Sequence, residues 1–205
     1  MQQKQLLDSE DQLALISGFF AKQQADIFYS QLIQSLSWQQ EQIIVVGKTV
    51  LVPRLVCWYG DKDAVYSYSG VTHQPLPWND MLLEIKQCIE TFSGFSFNSV
   101  LANLYRHGKD SMGWHADKEK ELGKNPAVAS LSLGEQRLFK MRHNKTGQMK
   151  NIDLQHGDLL LMSGALQHHW RHCVPKTKLE KKPRINLTFR KIFQPQHSTK
   201  PILVQ

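Results

Sequence analysis

The spacing of apolar residues changes twice along the chain. Phe28, Leu32, Ile33 and Leu36 recur at helical spacing and predict a helix over 25–36 whose stripe faces a core. From Gln42 the order becomes QIIVVGKTVLV, two short strands around a Gly47-Lys48 turn. Pro53-Arg54 interrupts them, and the strands LVCWYGD and AVYSYSG follow. Pro75-Leu76-Pro77-Trp78 reads as a stiff connector, after which Asn79 or Asp80 caps a second helix. Its stripe is Leu82, Ile85, Ile89 and Phe92, and Gly94 ends it. Residues 1 to about 12 are polar and Gln-rich and are expected to be loose.

Beyond Gly94 the period is two. Asn103 and Tyr105 share one face, with Ala102 and Leu104 on the other. Ala129, Leu131 and Leu133 alternate with Ser130 and Ser132, and Arg137–Met141 is expected to pair back on them after a turn at Gly134. His156-Gly157-Asp158 turns into Leu159–Met162, a fully buried strand. Ile185, Leu187 and Phe189 alternate with Arg184, Asn186, Thr188 and Arg190. Many short strands with few helices argue a mostly β (α+β) fold, a sandwich or jelly roll with the N-terminal helices packed on one sheet.

The size fits one domain with a substantial core: 205 residues, 41% hydrophobic. A formal charge of +7 favours polyanionic partners, because basic groups displace counterions from phosphates. Cys57, Cys88 and Cys173 are odd in number and form no Cys-x-x-Cys, which points away from disulfide frameworks and zinc knuckles and toward a reducing compartment. No apolar run approaches the roughly 20 residues of a membrane-spanning helix, and the first residues lack a secretory signal. The expected location is cytoplasmic, or nuclear in a eukaryote, and the expected state a monomer with no membrane partner.

The candidate chemistry starts at His115-Ala116-Asp117. In extended backbone the two side chains point the same way, and an imidazole with a carboxylate is two-thirds of the ligand set of a non-haem Fe(II) oxygenase. The third ligand must be a histidine downstream. His168, His169 and His172 are candidates, and spacing does not decide among them; His156 sits in a turn and is less attractive. The polar side of the last strand fits either a surface edge or a barrel interior. In an interior, Arg184 and Arg190 require an anion such as a small dicarboxylate. Tyr66 and Tyr68 share a face, as ordinary strand residues or as a shelf for a nucleic-acid base.

The stretches PRLVCWYGD, YSYSG, NLYRHGKDSMGWHAD, ASLSLG, HGDLLLM, HWRHCVP and PRINLTFR, in this order, resemble the AlkB family of Fe(II)- and 2-oxoglutarate-dependent dioxygenases, most of all the animal homologues that repair alkylated DNA. The resemblance implies a double-stranded β-helix over 53–193, with 1–52 an extension of the same domain carrying a helix and a nucleotide-lid hairpin, and 194–205 a tail. It implies iron ligands at His115, Asp117 and His172. It places Asn103, Tyr105, Arg184, Asn186 and Arg190 around 2-oxoglutarate, with Arg184 on the far carboxylate and Arg190 toward the iron. Tyr68 matches the aromatic that stacks on a flipped base, Tyr66 and Ser69 flank it, and Glu119 matches the acidic residue at the base's amino group. His168, His169 and Cys173 are left with structural roles. The implied activity is oxidative demethylation of 1-methyladenine and 3-methylcytosine in DNA, consuming dioxygen and releasing formaldehyde, succinate and CO2. An RNA demethylase of the same chemistry, or a non-catalytic nucleic-acid-binding jelly roll, are the alternatives. One departure bears on the strand type. Val46 stands where the duplex-preferring homologue carries an aromatic wedge, and a valine fills less of the gap left by an extruded base. Single-stranded DNA and RNA therefore stay open.

Overall fold

The computed structural model describes residues 2–45, 47–68 and 71–193. Strands β1 (Gln2–Asp8) and β2 (Asp11–Ser17) lead into helix α1 (Lys22–Ser35). The hairpin β3 (Gln42–Val45) and β4 (Lys48–Leu51) precedes β5 (Leu55–Gly60), and the short pair β6 (Tyr66–Tyr68) and β7 (Val71–His73) precedes helix α2 (Asp80–Ser93). Then come β8 (Ser99–Tyr105), β9 (Met112–His115), a 3-10 turn at Lys120–Leu122, β10 (Val128–Gly134), β11 (Arg137–His143) and β12 (Met149–Leu154). The chain closes with β13 (Leu159–Gly164), the short helix α3 (Leu166–His169), β14 (Trp170–Val174) and β15 (Arg184–Arg190).

Among the described residues the strands form two principal antiparallel sheets. One has the order β1-β2-β13-β10-β15-β8-β5, the other β12-β11-β14-β9, and the pairs β3-β4 and β6-β7 stand apart. This is the jelly roll, one of the two architectures that the alternation predicts. Phe28 and Leu32 of α1 and Leu82, Ile85 and Ile89 of α2 pack on Ala102, Leu104, Leu131, Leu187 and Phe189, the outer face of the larger sheet. Each fully buried side chain of this kind contributes about 1.5–3 kcal/mol relative to exposure, so the stripes hold the helix layer in place. On the opposite face Val128, Leu160 and Met162 meet Phe139, Met141 and Trp170 of the smaller sheet. The period of two therefore sends alternate residues of β8, β10 and β15 either to the helix layer or to the space between the sheets. Among the described residues no helix is long and apolar enough to cross a membrane.

Several expectations need correction. The N-terminal residues are not loose: β1 pairs with β2, and β2 pairs with β13 through Ile16, Leu15, Ala14 and Leu13. The alternation in DQLALIS carried that signal, hidden behind a Gln-rich start. Helix α1 begins at Lys22, three residues before the expected start at 25, and its N-cap Ala21 makes no side-chain cap bond. Nothing in the sequence marks that end. Helix α2 has the expected ends, with Asn79 accepting from Leu82 N–H at 2.8 Å and Gly94 in the left-handed region. Phe92 lies off its buried stripe, exposed and edge-on to Phe19 at 5.3 Å.

Arg137–Met141 does not pair back on Ala129–Leu133. Strand β11 crosses to the smaller sheet and pairs with β12 and β14, while β10 pairs with β13 and β15. The crossing begins at Gly134, with φ of 92°. A Cβ there would sit 2.6 Å from Pro183 O and 2.7 Å from Tyr29 Cε2. Gly134→Ala is therefore expected to cost about 3 kcal/mol, roughly 6–12 °C in melting temperature for a chain of this size. Gly113→Ala, where nothing lies within 4 Å of the added methyl, is the control, and equal melting of the two variants would refute the reading.

Candidate active site

Strands β9 and β14 place two histidines face to face. His115 and His172 are direct partners across the antiparallel ladder. Partner side chains in such a ladder share a face, and the two rings meet at 4.2 Å between centroids. Asp117 lies two residues past His115, just beyond the end of β9. Its backbone N–H donates to Gln167 Oε1 at 2.9 Å, and Arg190 Nη2 donates to its Oδ1 at 2.6 Å. Three segments far apart in the chain thus converge, and the ligand atoms of His115, Asp117 and His172 all lie within 4.8 Å of one another.

Their protonation suits a metal. Burial, and then His115, push His172 down to about 3 against the pull of Asp117, so its ring is neutral. Its Nε2 lies 3.5 Å from Asp117 Oδ2. Because the imidazole is uncharged this contact is not an ion pair; it is two ligand atoms turned toward one point. Burial works to raise the Asp117 carboxyl, but the Arg190 guanidinium, by its charge and its hydrogen bond, outweighs it and holds the group below its ordinary value. His115 Nδ1 donates to Gly113 O at 2.9 Å, which fixes the tautomer and leaves Nε2 as a ligand. His172 Nδ1 is buried with no hydrogen-bond partner. Two imidazoles and one carboxylate on one side of a point are the donor set that suits Fe(II) with open positions.

A cavity opens on one side of this cluster, between the sheets. In the β8–β15 ladder Arg184 stands opposite Tyr105 and Asn186 opposite Asn103, and all four line the cavity. The last strand is no edge: it lies between β10 and β8, and every residue in it is buried. Arg184 is 1% exposed. Its Nη2 donates to Ser132 Oγ at 2.9 Å, while its Nε and Nη1 have no partner. Burial pushes it down to about 10, still charged at neutral pH. Arg137 and Arg184 both stack near the Tyr105 ring, at 5.4 Å and 5.3 Å. A buried guanidinium with idle donors beside a second one calls for an anion.

A second cavity shares Leu101, Met112, His115, Asp117 and Arg190 with the first and continues past Trp58, Arg54, Glu41 and Glu119. Glu119 Oε2 is buried with no hydrogen-bond partner, a carboxylate oxygen suited to a cationic or N–H-bearing ligand.

Of the residues singled out from sequence, His115, Asp117, His172, Asn103, Tyr105, Arg184, Asn186 and Arg190 all line the inner cavity, and Glu119 lines the outer one. Asn186 spends its amide hydrogens on Ser130 Oγ and Leu131 O. Val46 and Ser69 lie outside the described residues, as do the side chains of Tyr66 and Tyr68. His168 and His169 stand away from the cluster. His169 Nδ1 contacts Asp11 at 2.6 Å, and His168 Nε2 lies 3.1 Å from Asn125 Oδ1. Sequence reasoning missed Arg54, Arg137 and Gln167. Arg137 did leave a trace, since it falls in phase with the buried Phe139 and Met141. Gln167 on α3 and Arg54 in a loop left none.

The family model described as "2OG-Fe(II) oxygenase superfamily" matches residues 12–190. The chain is 42% identical over 191 residues to "Alpha-ketoglutarate-dependent dioxygenase alkB homolog 3" of Bos taurus, covering 88% of this chain and 66% of that protein. It is 36% identical over 185 residues to "DNA oxidative demethylase ALKBH2" of Mus musculus, covering 85% and 77%. It thus spans slightly under two-thirds of the bovine relative. The solved structure of OsALKBH1 superposes with a TM-score of 0.62 at 21% identity, over 91% of this chain and 99% of that one, which shows a shared fold.

Proposed function

The chain belongs to the AlkB family of the 2OG-Fe(II) oxygenase superfamily, and from that membership we propose that it demethylates N-alkylated bases in DNA, 1-methyladenine and 3-methylcytosine above all. The carrying observation is that His115 and Asp117 of the His115–Asp117–His172 cluster stand in the wall common to two cavities, with His172 on the inner one; the inner cavity bears the idle donors of Arg184 and the outer the idle carboxylate oxygen of Glu119. An oxidant made from the contents of the inner cavity would arise beside a carbon held in the outer one. The names of the bovine and murine relatives, an alpha-ketoglutarate-dependent dioxygenase and a DNA oxidative demethylase, support the same assignment.

His115, Asp117 and His172 would hold Fe(II). With Fe(II), 2-oxoglutarate and dioxygen bound, the centre supplies oxidation of a C–H bond coupled to release of succinate and CO2. The protein's own groups do the rest. Arg184 grips the far carboxylate of 2-oxoglutarate, with Asn103 and Tyr105 along the same wall. Arg190 keeps Asp117 ionised and oriented. Asn186 shapes the wall through its bonds to β10. In the outer cavity Glu119 faces the methylated base, whose positive charge it complements; by the family resemblance alone, Tyr68 is the residue that stacks on the ring, with Tyr66 and Ser69 flanking it. Hydroxylation of the N-methyl carbon gives a hemiaminal that loses formaldehyde. The base must leave the stack to enter, which costs less for a lesion that cannot pair. Exposed basic residues around the site, among them Lys118, Lys120, Arg142 and Lys176, hold the phosphates. With a valine in the sequence at position 46, where the duplex-preferring homologue carries an aromatic wedge, single strands are preferred to duplexes.

The test is formaldehyde release from methylated oligonucleotides presented as single-stranded DNA, duplex DNA and RNA. Turnover of the DNA single strand in preference to the others is expected. RNA turned over faster than DNA would transfer the same chemistry to RNA, and binding indifferent to Fe(II) and 2-oxoglutarate, without turnover, would leave only a binding module. Tyr68→Ala is expected to lower oligonucleotide turnover at least tenfold, the loss of about 1–3 kcal/mol of base stacking, while succinate formation without oligonucleotide persists. Equal loss of both would make Tyr68 a support of the fold.

A further inference from the structure

Arg54 lies between the two cavities and touches both sets of walls. It is 7% exposed, precedes β5, and lines the outer cavity. Its Nε donates to Asn103 Oδ1 at 2.6 Å, and its Nη1 reaches Ser111 O at 3.5 Å. Asn103 lines the inner cavity. A guanidinium carries donors and no acceptor, so an amide in contact with it must turn its oxygen toward it. The oxygen of Asn103 is therefore fixed on the Arg54 side, and the NH2 group is left for the inner cavity. Asn186, its partner across the ladder, is in the opposite condition: its NH2 group is committed to Ser130 Oγ and Leu131 O, and its oxygen accepts from Thr188 Oγ1.

We infer that Arg54 is a positioning residue for the co-substrate, acting through Asn103 by fixing which end of the amide faces the inner cavity. This rests on the proposed function, in which that cavity takes 2-oxoglutarate. An anion there meets a donor as long as Arg54 holds the oxygen away. Without the guanidinium the amide rotates freely and its oxygen faces the carboxylate for part of the time, which repels it. Arg54 need not touch 2-oxoglutarate for its loss to weaken binding.

The test is a double-mutant cycle on the full chain loaded with Mn(II), with 2-oxoglutarate affinity read by calorimetry in the absence of turnover. Arg54→Met is expected to weaken 2-oxoglutarate roughly tenfold, as loss of one charge-assisted hydrogen bond implies. Asn103→Ala is expected to weaken it similarly, and Arg54→Met added to Asn103→Ala to change it no further. In turnover the loss falls on the KM for 2-oxoglutarate more than on kcat. A tenfold effect of Arg54→Met that persists in the Asn103→Ala background, or no effect in either, overturns the inference. A purely structural role would move the melting curve and leave the two substitutions independent. If Arg54→Met fails to fold, Arg54→Lys, which keeps the charge but loses the fork, carries the same cycle. Absence of binding by the unsubstituted Mn(II) protein would instead defeat the proposed function itself.

Discussion

His115→Ala is expected to bring formaldehyde release to background and to remove the Fe(II) site while the fold survives. His115 is partly exposed on β9, an edge strand of the smaller sheet, and no core cluster includes it. Its removal leaves two ligands, His172 on β14 and Asp117 just beyond β9. Losing an outer-shell partner of a metal ligand typically costs about 10–100-fold, and losing a ligand of a three-ligand site should exceed that, to beyond about 1000-fold. The checks are formaldehyde release, Fe(II) retention after desalting and a melting curve. Turnover at the normal rate by a well-folded variant would remove His115 from the metal.

Arg184→Met should act on the co-substrate alone. Methionine fills much of the same volume, and replacing a buried charge by an apolar group is often tolerated by the fold. The carboxylate it leaves behind is another matter. An ionised partner stranded in a buried site costs about 3–5 kcal/mol, so the KM for 2-oxoglutarate is expected to rise at least about 100-fold. Oligonucleotide affinity should stay within about twofold, because Arg184 is 1% exposed and lines only the inner of the two cavities. The reverse pattern, weakened oligonucleotide binding with an unchanged KM, would mean that the arginine reads phosphate.

Much of this site was legible because β chemistry is periodic. Arg184, Asn186 and Arg190 fall on one face of β15 by counting residues, and so do Asn103 and Tyr105 on β8. What counting could not supply was the side of the sheet on which those faces lie. The alternation in β15 fits an edge strand equally well, and only its place between β10 and β8 makes the polar face interior. Spacing likewise left His168, His169 and His172 open. The ladder decides, because β14 sets His172 opposite His115 and the turn of α3 carries His168 and His169 away. The crossing of β11 to the second sheet was illegible for a related reason. Gly134 announces a turn, but whether the next strand returns to the same sheet depends on what its own apolar face meets, and Phe139 and Met141 meet β10 and β13 across the core. Arg54 lay furthest from reach: a single arginine after a proline, its partner 49 residues on.

The account stands on one ion held by His115, Asp117 and His172 beside a cavity that takes a keto-dicarboxylate. Anaerobic addition of Fe(II) and then 2-oxoglutarate to the protein, followed by visible absorption, reads both at once. A charge-transfer band that appears only when both are present, is lost in His115→Ala, and decays when a methylated oligonucleotide and air are admitted is the predicted result. A protein that takes up Fe(II) with no such band at saturating 2-oxoglutarate would contradict it.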